Sequence, residues 1–365
     1  MSHDLERYHR QMLLPGFGPE GQRKLLDSTA LIMGCGALGS VAADLLARAG
    51  VGHLKIVDRD FIELTNLQRQ VLFDEQDVAD GIPKAEAARR KIARSNSQVK
   101  VTSIVDDLNH SNIERFAAGA DILIDGLDNF ETRYLANDCA VKHGLPYVYG
   151  GAVSTVGIAY AILPHTLAGD AWWEIAAGGS RATPCFRCLF EEVPPPGENL
   201  TCDTAGVLGP VVSMIASFQA AEALKILTGN LAQVCPTMLS IDLAANRITQ
   251  LGVGGVREDA DCRCCNQHDY EYLNGRAGSS ATSLCGHNAV QLRHRQTVAG
   301  IDLAEVAGRL ARHGDVRSNE FMVRAQVTEN GKDYEITLFT DGRAIVKGTG
   351  EERVARGVYS KYVGN

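Results

Sequence analysis

The sequence predicts an α/β protein whose main domain is built on a doubly wound, mainly parallel sheet with an antiparallel extension. Two observations predict this class. Short apolar strands alternate with helical patterns over residues 29–151, and the glycine-rich segment Gly34–Gly39 separates the first strand from the first helix. Alternation of this kind gives parallel strands, because each crossover helix returns the chain to the same end of the sheet.

The elements of this domain follow from the apolar runs and from the residues that interrupt them. The predicted strands are Thr29–Met33, His53–Val57, Val99–Ile104, Ile122–Asp125 and Pro146–Tyr149. The predicted helices run from the glycine segment to about Ala49, from Pro83-Lys84 to about Arg94, and over Thr132–His143.

Three further segments are expected to complete the domain. Val153–Leu163 is predicted to return along an antiparallel edge, and Met238–Asp242 with Arg247–Gln250 to form a closing hairpin. Val207–Leu227 is apolar and nearly unbroken, which predicts a buried helix ended by Gly229.

The 365 residues correspond to two or three domains at roughly 150 residues each. The first domain is expected to span residues 1–273. A polar, Gly/Ser-rich stretch at 274–282 is predicted to be a linker. Residues 283–365 are predicted to form a small α+β domain of unknown role, with a hairpin around Asp341-Gly342 and a helix near Glu351–Tyr362.

Composition excludes several function classes. The chain has 36 basic and 44 acidic residues, a formal charge of −8, which argues against a nucleic-acid binder. We expect no membrane span, because no uninterrupted apolar run reaches roughly 18 residues. The N-terminus has no apolar signal core, so a cytoplasmic location is expected. The ten cysteines are then better interpreted as metal ligands, nucleophiles or core residues than as disulfides.

The segment Gly34–Gly39 fits the pattern G-x-G-x-x-G and stands between a strand and a helix, as a Rossmann-like nucleotide loop requires. Its glycines allow a close approach of the backbone to phosphate, and the helix N-terminus adds unpaired N–H groups. Asp58 ends the next strand, where a carboxylate can hold ribose hydroxyls. The motif alone does not separate NAD, FAD and ATP.

Three charged residues lie on loops that are expected to face the same crevice: Arg69, Lys84 and Asp128. A nicotinamide enzyme has no chemical need for them, whereas a triphosphate needs cations and a carboxylate that can hold Mg²⁺. The alternative interpretation is that Arg69 and Lys84 are solvated surface charges and that Asp128 caps the following helix.

The chain resembles the ubiquitin-activating-like enzymes of the ThiF/MoeB/HesA superfamily over about residues 5–270. The motifs that carry the resemblance occur in the family's order; they are Arg7–Gln11, Gly34–Gly39, Asn66–Gln70, Gly81–Lys84 and Asp128-Asn129. The resemblance implies a homodimeric, ATP- and Mg²⁺-dependent adenylyltransferase. Its substrate would be the C-terminal Gly-Gly carboxylate of a ubiquitin-like sulfur carrier of the ThiS/MoaD type, in thiamine, molybdopterin or thiolated-tRNA chemistry.

The resemblance also assigns roles to residues. Gly34, Gly36 and Gly39 form the nucleotide loop, Asp58 binds ribose, Arg69 and Lys84 bind phosphates, and Asn66 and Gln70 shape the pocket. Asn129 is a further residue of the nucleotide site. Asp128 handles Mg²⁺ and the attack geometry. Arg10 is expected to reach into the ATP site of the partner subunit.

Two C-x-x-C pairs, Cys185/Cys188 and Cys262/Cys265, predict a tetrathiolate Zn²⁺ site. The resemblance places such pairs at these points, and free or redox thiols are the alternative. Cys264 is an extra thiol that could replace Cys262 or Cys265 as a ligand, although the spacing favours the outer two.

Cys202 is a candidate nucleophile. It precedes the predicted buried helix, in a segment that resembles the family's catalytic crossover loop, and a thiolate attacks an acyl adenylate readily. Sulfur would then come from a donor such as a cysteine desulfurase or a rhodanese. Cys285, in the tail, is a second candidate thiol. Residues 164–184, with Trp172 and Trp173, exceed the family's usual length before the first cysteine pair, and their role stays open.

Three rival functions remain open at this point. One is activation of a ubiquitin-like protein for conjugation, and another is a Rossmann-type nucleotide-dependent oxidoreductase. The third is a non-catalytic adaptor, which is weakened by the intact set of Arg10, Arg69, Lys84 and Asp128.

Overall fold

The structure, a computed structural model, divides into two compact units, Met1–Gly278 and Ser279–Asn365. It describes residues 3–164, 182–191, 205–256, 261–277, 283–284, 288–292, 302–329, 331–340 and 342–363. Cys202, Cys285, Trp172 and Trp173, which the sequence singled out, lie outside these ranges.

Within its described residues the first unit contains one eight-stranded sheet, of order β3-β2-β1-β4-β5-β6-β7-β8. The strands are β1 Thr29–Met33, β2 His53–Val57, β3 Lys100–Ile104, β4 Ile122–Asp125, β5 Tyr147–Val153, β6 Val156–Ile162, β7 Thr237–Asp242 and β8 Arg247–Gly252. The first five are parallel, and β6 to β8 extend the sheet in antiparallel fashion. This arrangement confirms the predicted fold class.

Helices cover both faces of the sheet. They are α1 His9–Met12, α2 Gly18–Asp27, α3 Ala37–Ala49, α4 Glu75–Asp80, α5 Lys84–Ser95, α6 Ile113–Ala117, α7 Phe130–His143, α8 Phe186–Leu189 and α9 Gly209–Thr228. Residues of α2, α3, α5 and α9 share one apolar core, and residues of α6, α7 and α8 share another. The order of the sheet sends the carboxyl ends of β1 to β4 to one edge, where ligands of doubly wound folds bind.

Two strand boundaries in the sequence prediction were wrong by three or more residues. The strand predicted to end at Tyr149 continues to Val153, and the returning strand begins at Val156 rather than Val153. The pair Gly150-Gly151 looks like a chain break in the sequence. In the structure Gly150 is part of the strand. Its missing side chain leaves room for Gln219, since a Cβ on Gly150 would lie 2.4 Å from the Gln219 side chain.

The long helix α9 is the buried helix that the sequence predicted, ended by Gly229 with φ of +83°. It begins two residues late, because Leu208 N–H donates to the Ser154 carbonyl at 2.8 Å. Among the described residues it is the one helix that by length and composition could cross a membrane, and two charged residues, Glu222 and Lys225, interrupt its apolar run. In this fold it packs against α3, β5 and β6.

The second unit contains an antiparallel sheet of six strands among its described residues, in the order β11-β12-β13-β14-β10-β9. They are β9 Ser283–Leu284, β10 Ala289–Leu292, β11 Val316–Ser318, β12 Met322–Glu329, β13 Lys332–Phe339 and β14 Ala344–Lys347. Helices α10 Leu303–Leu310 and α11 Glu352–Tyr362 supply the rest of its apolar core. The predicted hairpin is the β13–β14 pair, which confirms the small α+β part of the fold class.

Candidate functional site

The glycine loop packs tightly on one side and is open on the other. A Cβ on Gly34 would lie 2.5 Å from the Gly126 carbonyl oxygen, and a Cβ on Gly39 would lie 1.9 Å from the Gly34 carbonyl oxygen. At Gly36 the nearest atom to such a Cβ is the Gln70 Nε2, at 3.8 Å. Gly36 also caps α3 without a side-chain hydrogen bond, so the first N–H groups of the helix face an accessible surface that suits an anion.

Asp58 follows β2 and binds the loop directly. Its buried carboxylate accepts from Cys35 N–H at 2.6 Å and from Asp60 N–H at 2.7 Å. Burial raises its pKa, and the nearby Lys84 acts in the opposite direction. Each oxygen keeps a lone pair, so Asp58 can still accept a hydroxyl at the place where the sequence predicted a ribose contact.

Lys84 begins α5 and is buried at the same edge of the sheet. Its Nζ lies 3.2 Å from Asp60 Oδ2, and its N–H donates to the Asp60 carbonyl at 2.9 Å. Burial alone lowers the pKa of Lys84, but the carboxylates of Asp60, Asp58 and Asp128 raise it above its ordinary value. The interpretation of Lys84 as a solvated surface charge is therefore wrong; Lys84 is buried, and the surrounding carboxylates favour its charged form.

Asp128 is exposed at the end of β4, and the alternative that it caps α7 is wrong. The cap is Asn129, whose side chain accepts from Thr132 N–H at 2.8 Å. Asn129 Nδ2 also donates to Asp128 Oδ1 at 3.0 Å. Asp128 is close enough to raise the pKa of Arg59 and Lys84, which places its charge with theirs at the carboxyl edge.

The loop that carries Asp128 is held from below by Arg133, a residue that the sequence analysis missed. The buried guanidinium lies 3.2 Å from Asp125 Oδ2 and donates to the Leu127 carbonyl at 2.7 Å and the Gly150 carbonyl at 3.2 Å. Asp125 also accepts from Tyr147 Oη at 2.6 Å. The only sequence signal was the position of Arg133, one helical turn after Asn129.

Arg59 and Asp60 were missed as well. Arg59 lies between Asp58 and Asp60 in the sequence, and its Nη1 lies 2.8 Å from Asp107 Oδ1. Alternating charges immediately after a buried parallel strand were the available signal, because such residues emerge at the ligand edge. The edge therefore carries a chain of ion pairs, from Asp107 through Arg59 and Asp60 to Lys84.

The segment Asn66–Gln70 lies beside the open face of the glycine loop. Asn66 is buried and its Oδ1 accepts from Glu63 N–H at 3.0 Å, which fixes the turn. Gln70 is buried too, and its Oε1 has no hydrogen-bond partner. A buried polar atom without a partner, next to an open glycine, fits a site that receives a polar ligand such as a nucleotide.

Arg69 and Arg10 are placed differently. Arg69 is half-buried, and its Nη1 donates to the Thr65 carbonyl at 3.0 Å. The start of α9 packs against the same segment, because a Cβ on Gly209 would lie 2.9 Å from the Gln68 carbonyl oxygen. Arg10 lies exposed on the short helix α1. The structure thus brings Gly36, Asp58, Asn66, Gln70 and Lys84 together around the glycine loop. That Arg10 enters the ATP site of a partner subunit stays a prediction.

Four cysteines form a cluster on the face of the sheet that α6, α7 and α8 cover. The Sγ atoms of Cys185, Cys188, Cys262 and Cys265 all lie within 4.8 Å of one another. Cys185 is 3.7 Å from both Cys188 and Cys262, and Cys188 is 3.4 Å from Cys265. Zn–S bonds of about 2.3 Å in a tetrahedron separate the sulfurs by roughly 3.8 Å. The cluster therefore fits a tetrathiolate metal site. Its second pair of ligands is Cys262 and Cys265, as the spacing favoured, and not Cys264.

Cys264 is not one of the four grouped ligands, but its sulfur interacts with Cys185 and with Asp138. It is buried, and its sulfur accepts from Asn137 Nδ2 at 3.3 Å.

Comparison with known proteins gives three results. The ThiF family matches residues 8–264. The "Sulfur carrier protein ThiS adenylyltransferase" of Bacillus subtilis is 40% identical over 359 residues, which cover 98% of this chain and 99% of that protein. The "SAMP-activating enzyme E1" of Haloferax volcanii is 40% identical over 223 residues, 61% of this chain and 76% of that protein.

A solved structure also matches. The crystal structure of Escherichia coli MccB with ATP has a TM-score of 0.55 and 25% identity, over 68% of this chain and 72% of that one.

Proposed function

The chain belongs to the ThiF family, and from this premise we propose that it is an ATP-dependent adenylyltransferase of a ubiquitin-like sulfur carrier. Its substrate is the carrier's C-terminal Gly-Gly carboxylate, and its by-product is pyrophosphate. The observation that carries the proposal is the buried Lys84 cation, held beside Asp58 and Asp60 at the edge where the glycine loop is open. The full-length similarity to the Bacillus subtilis enzyme supports it independently.

This reaction requires the protein to orient the carboxylate and the α-phosphate and to offset the repulsion between them. A carboxylate is a poor electrophile, and its attack on the α-phosphate of ATP converts it into a mixed anhydride with AMP. Two anions must approach each other, so cations that offset their repulsion lower the barrier. Lys84 and Arg69 supply those cations, Asp58 orients the ribose, and Asn66, Gln70 and Asn129 shape the pocket.

Two further components belong to this site. Asp128 would hold Mg²⁺, which supplies charge neutralisation on the phosphates when it is bound. Arg10 would add a positive charge from the partner subunit of a homodimer. The exposed position of both side chains leaves them accessible for these roles.

The four-cysteine cluster is proposed to hold Zn²⁺. It joins the segment around α8 to residues 262–265, which lie more than 70 positions later. The metal would therefore act as a structural cross-link between distant parts of the chain, and its binding free energy would add to the stability of the fold.

Sulfur transfer is proposed as the second stage: the Cys202 thiolate attacks the acyl adenylate, so that a thioester forms and AMP leaves. The persulfide of a cysteine desulfurase or rhodanese then displaces the Cys202 thiolate, and a thiol reductant cleaves the resulting acyl disulfide to release the carrier thiocarboxylate. Cys202→Ala tests this stage alone. Pyrophosphate exchange should stay near the wild-type rate, while carrier thiocarboxylate formation should fall sharply. Thiocarboxylate formation at the wild-type rate would exclude Cys202 and leave Cys285 as the next thiol to test.

Activation for protein conjugation is the second candidate, and the similarity to the SAMP-activating enzyme favours its consideration. The two candidates share adenylylation and differ in what receives the carrier. Intact-mass spectrometry of a reaction with Mg–ATP, carrier and sulfur donor distinguishes them. The proposed function gives a carrier thiocarboxylate, whereas conjugation gives a carrier joined to lysines of other proteins.

A further inference from the structure

The middle of helix α7 contacts the cysteine cluster through a fully buried amide, that of Asn137. Asn137 Oδ1 accepts from Phe186 N–H at 2.8 Å, between the first two cysteines. Its Nδ2 faces two sulfurs, Cys264 at 3.3 Å and Cys185 at 3.7 Å. The orientation of the amide follows from its partners, because the Phe186 N–H needs an acceptor and the NH₂ group is left for the sulfurs.

The charge of the cluster gives this contact a role. Four thiolates around a divalent ion leave two negative charges in a site where Cys185 is 1% exposed and Cys265 is 2% exposed. A buried anion is costly unless hydrogen-bond donors face it. The Asn137 amide is such a donor, and outer partners of this kind usually orient the ligands of a metal and tune its affinity.

The next residue, Asp138, contacts the segment that follows the second cysteine pair. Its Oδ2 accepts from Tyr272 N–H at 3.0 Å and from Leu273 N–H at 3.3 Å. One turn of α7 thereby holds the chain on both sides of the cluster. Asn137 differs from Asp138 in that its side chain reaches a ligand sulfur directly.

We propose that Asn137 is a positioning residue of the metal site. Its carbonyl fixes the backbone at Phe186, and its amide N–H groups orient and stabilise the Cys185 thiolate, with Cys264 as the competing acceptor. The proposal rests on the metal site proposed above. It assigns the retention of the ion partly to a residue that is not a ligand.

Asn137→Asp is the direct test, because it keeps an acceptor for Phe186 N–H and removes both donors. We expect release of Zn²⁺ to a chromogenic chelator to become 10- to 100-fold faster. In the cobalt-substituted protein the thiolate-to-metal charge-transfer band should move to lower energy, since a thiolate that loses a hydrogen bond is easier to oxidise. Release at the wild-type rate with an unchanged band would overturn the proposal.

Asn96→Asp is the matched control. Asn96 is an equally buried amide of the same unit, and its Nδ2 donates to Tyr8 Oη at 2.9 Å and to the Ala47 carbonyl at 2.8 Å. This change should lower the melting temperature and leave the rate of metal release unchanged. Wild-type protein purified without bound metal would refute the metal site itself, which is a separate result from equal release rates in a loaded wild type and variant.

Asn137→Ala decides the question if Asn137→Asp does not fold. It removes both N–H donors without adding a charge near the thiolates. The cobalt charge-transfer band should again move to lower energy, and release should again be faster than in the wild type. An unchanged band with release at the wild-type rate would contradict the proposal.

Discussion

Lys84, the first residue of α5, forms an ion pair with Asp60, which lies in the loop after β2; the Lys84 Nζ is 3.2 Å from Asp60 Oδ2. Asp60 also lies near Arg59, so it keeps two cations at the ligand edge of the sheet. The pair explains how a lysine that is 7% exposed stays charged without a bound anion. A phosphate that entered beside Gly36 would meet a cation already in place.

Replacement of Lys84 by Met should lower pyrophosphate exchange roughly 100- to 1,000-fold, the usual effect of losing one preorganised donor to a developing charge. Stability should also fall, because the buried Asp58 carboxylate loses the cation that offsets its burial, so exchange is compared at a temperature where the variant is folded. Lys91→Met is the control on the same helix: Lys91 bridges Asp74 and Asp77, with Asp77 at 2.9 Å. Equal loss of exchange in both variants would contradict a specific role for Lys84.

The buried pair of Asp125 and Arg133 predicts a non-additive stability effect. Arg133→Gln should destabilise the protein by about 3–5 kcal/mol, because it leaves the Asp125 carboxylate buried without its counter-charge. Asp125→Asn combined with Arg133→Gln should recover much of that loss. Urea unfolding of the two single variants and the double variant measures the coupling. Costs that simply add would show that the two charges do not stabilise each other.

Glu86 predicts a loss of stability in acid. Burial alone raises its pKa, but hydrogen bonds from Arg89, Arg90 and Ser103 outweigh burial and lower it from 4.5 to about 2. Because the folded-state pKa is the lower one, the contribution of Glu86 is complete above about pH 4.5 and is lost as the pH falls towards 2.

Glu86→Gln should therefore reduce the free energy of unfolding at neutral pH and flatten its decline between pH 4.5 and 2. Urea unfolding over that pH range is the measurement. Glu20→Gln, at a side chain that is 85% exposed, is the control and should leave the decline unchanged. A wild-type slope in Glu86→Gln would assign the acid sensitivity to other groups.

Arg10 predicts complementation between subunits. Arg10→Ala and Asp128→Ala should each impair pyrophosphate exchange as homodimers. In a mixed dimer one site keeps its own Asp128 and receives Arg10 from the partner, so up to about half of the wild-type exchange should return. Mixed dimers that stay inactive would place Arg10 in the site of its own chain.

The parts of the site that depend on the local backbone could be predicted from the sequence. Gly34, Gly36 and Gly39 had to be glycines for the loop to pack and stay open, and their position after a strand predicted where it lies. The outer cysteines of the second pair were likewise predictable, because ligand spacing is a property of the local chain. The contact between Cys185 and Cys262 joins residues 77 positions apart, and the spacing within each pair does not predict it.

The rest depends on contacts between distant residues, which no local pattern shows. Gly150 belongs to a strand because Gln219, 69 positions later, fills the space above it. Lys84 can be buried because Asp60 offsets its charge. The support that Arg133 gives to the Asp128 loop depends on its contacts with Asp125 and Leu127, which the sequence does not show.

The most direct test of the central claim, that this site joins AMP to a terminal carboxylate, is exchange of labelled pyrophosphate into ATP. A carrier that ends in a free Gly-Gly carboxylate should support this exchange, and the same carrier ending in an amide should not. Asp128→Ala should also reduce exchange far more than ATP binding, since the role proposed for Asp128 lies in the transition state. Exchange that ignores the carboxylate, or that is absent while ATP and the carrier both bind, would contradict the account.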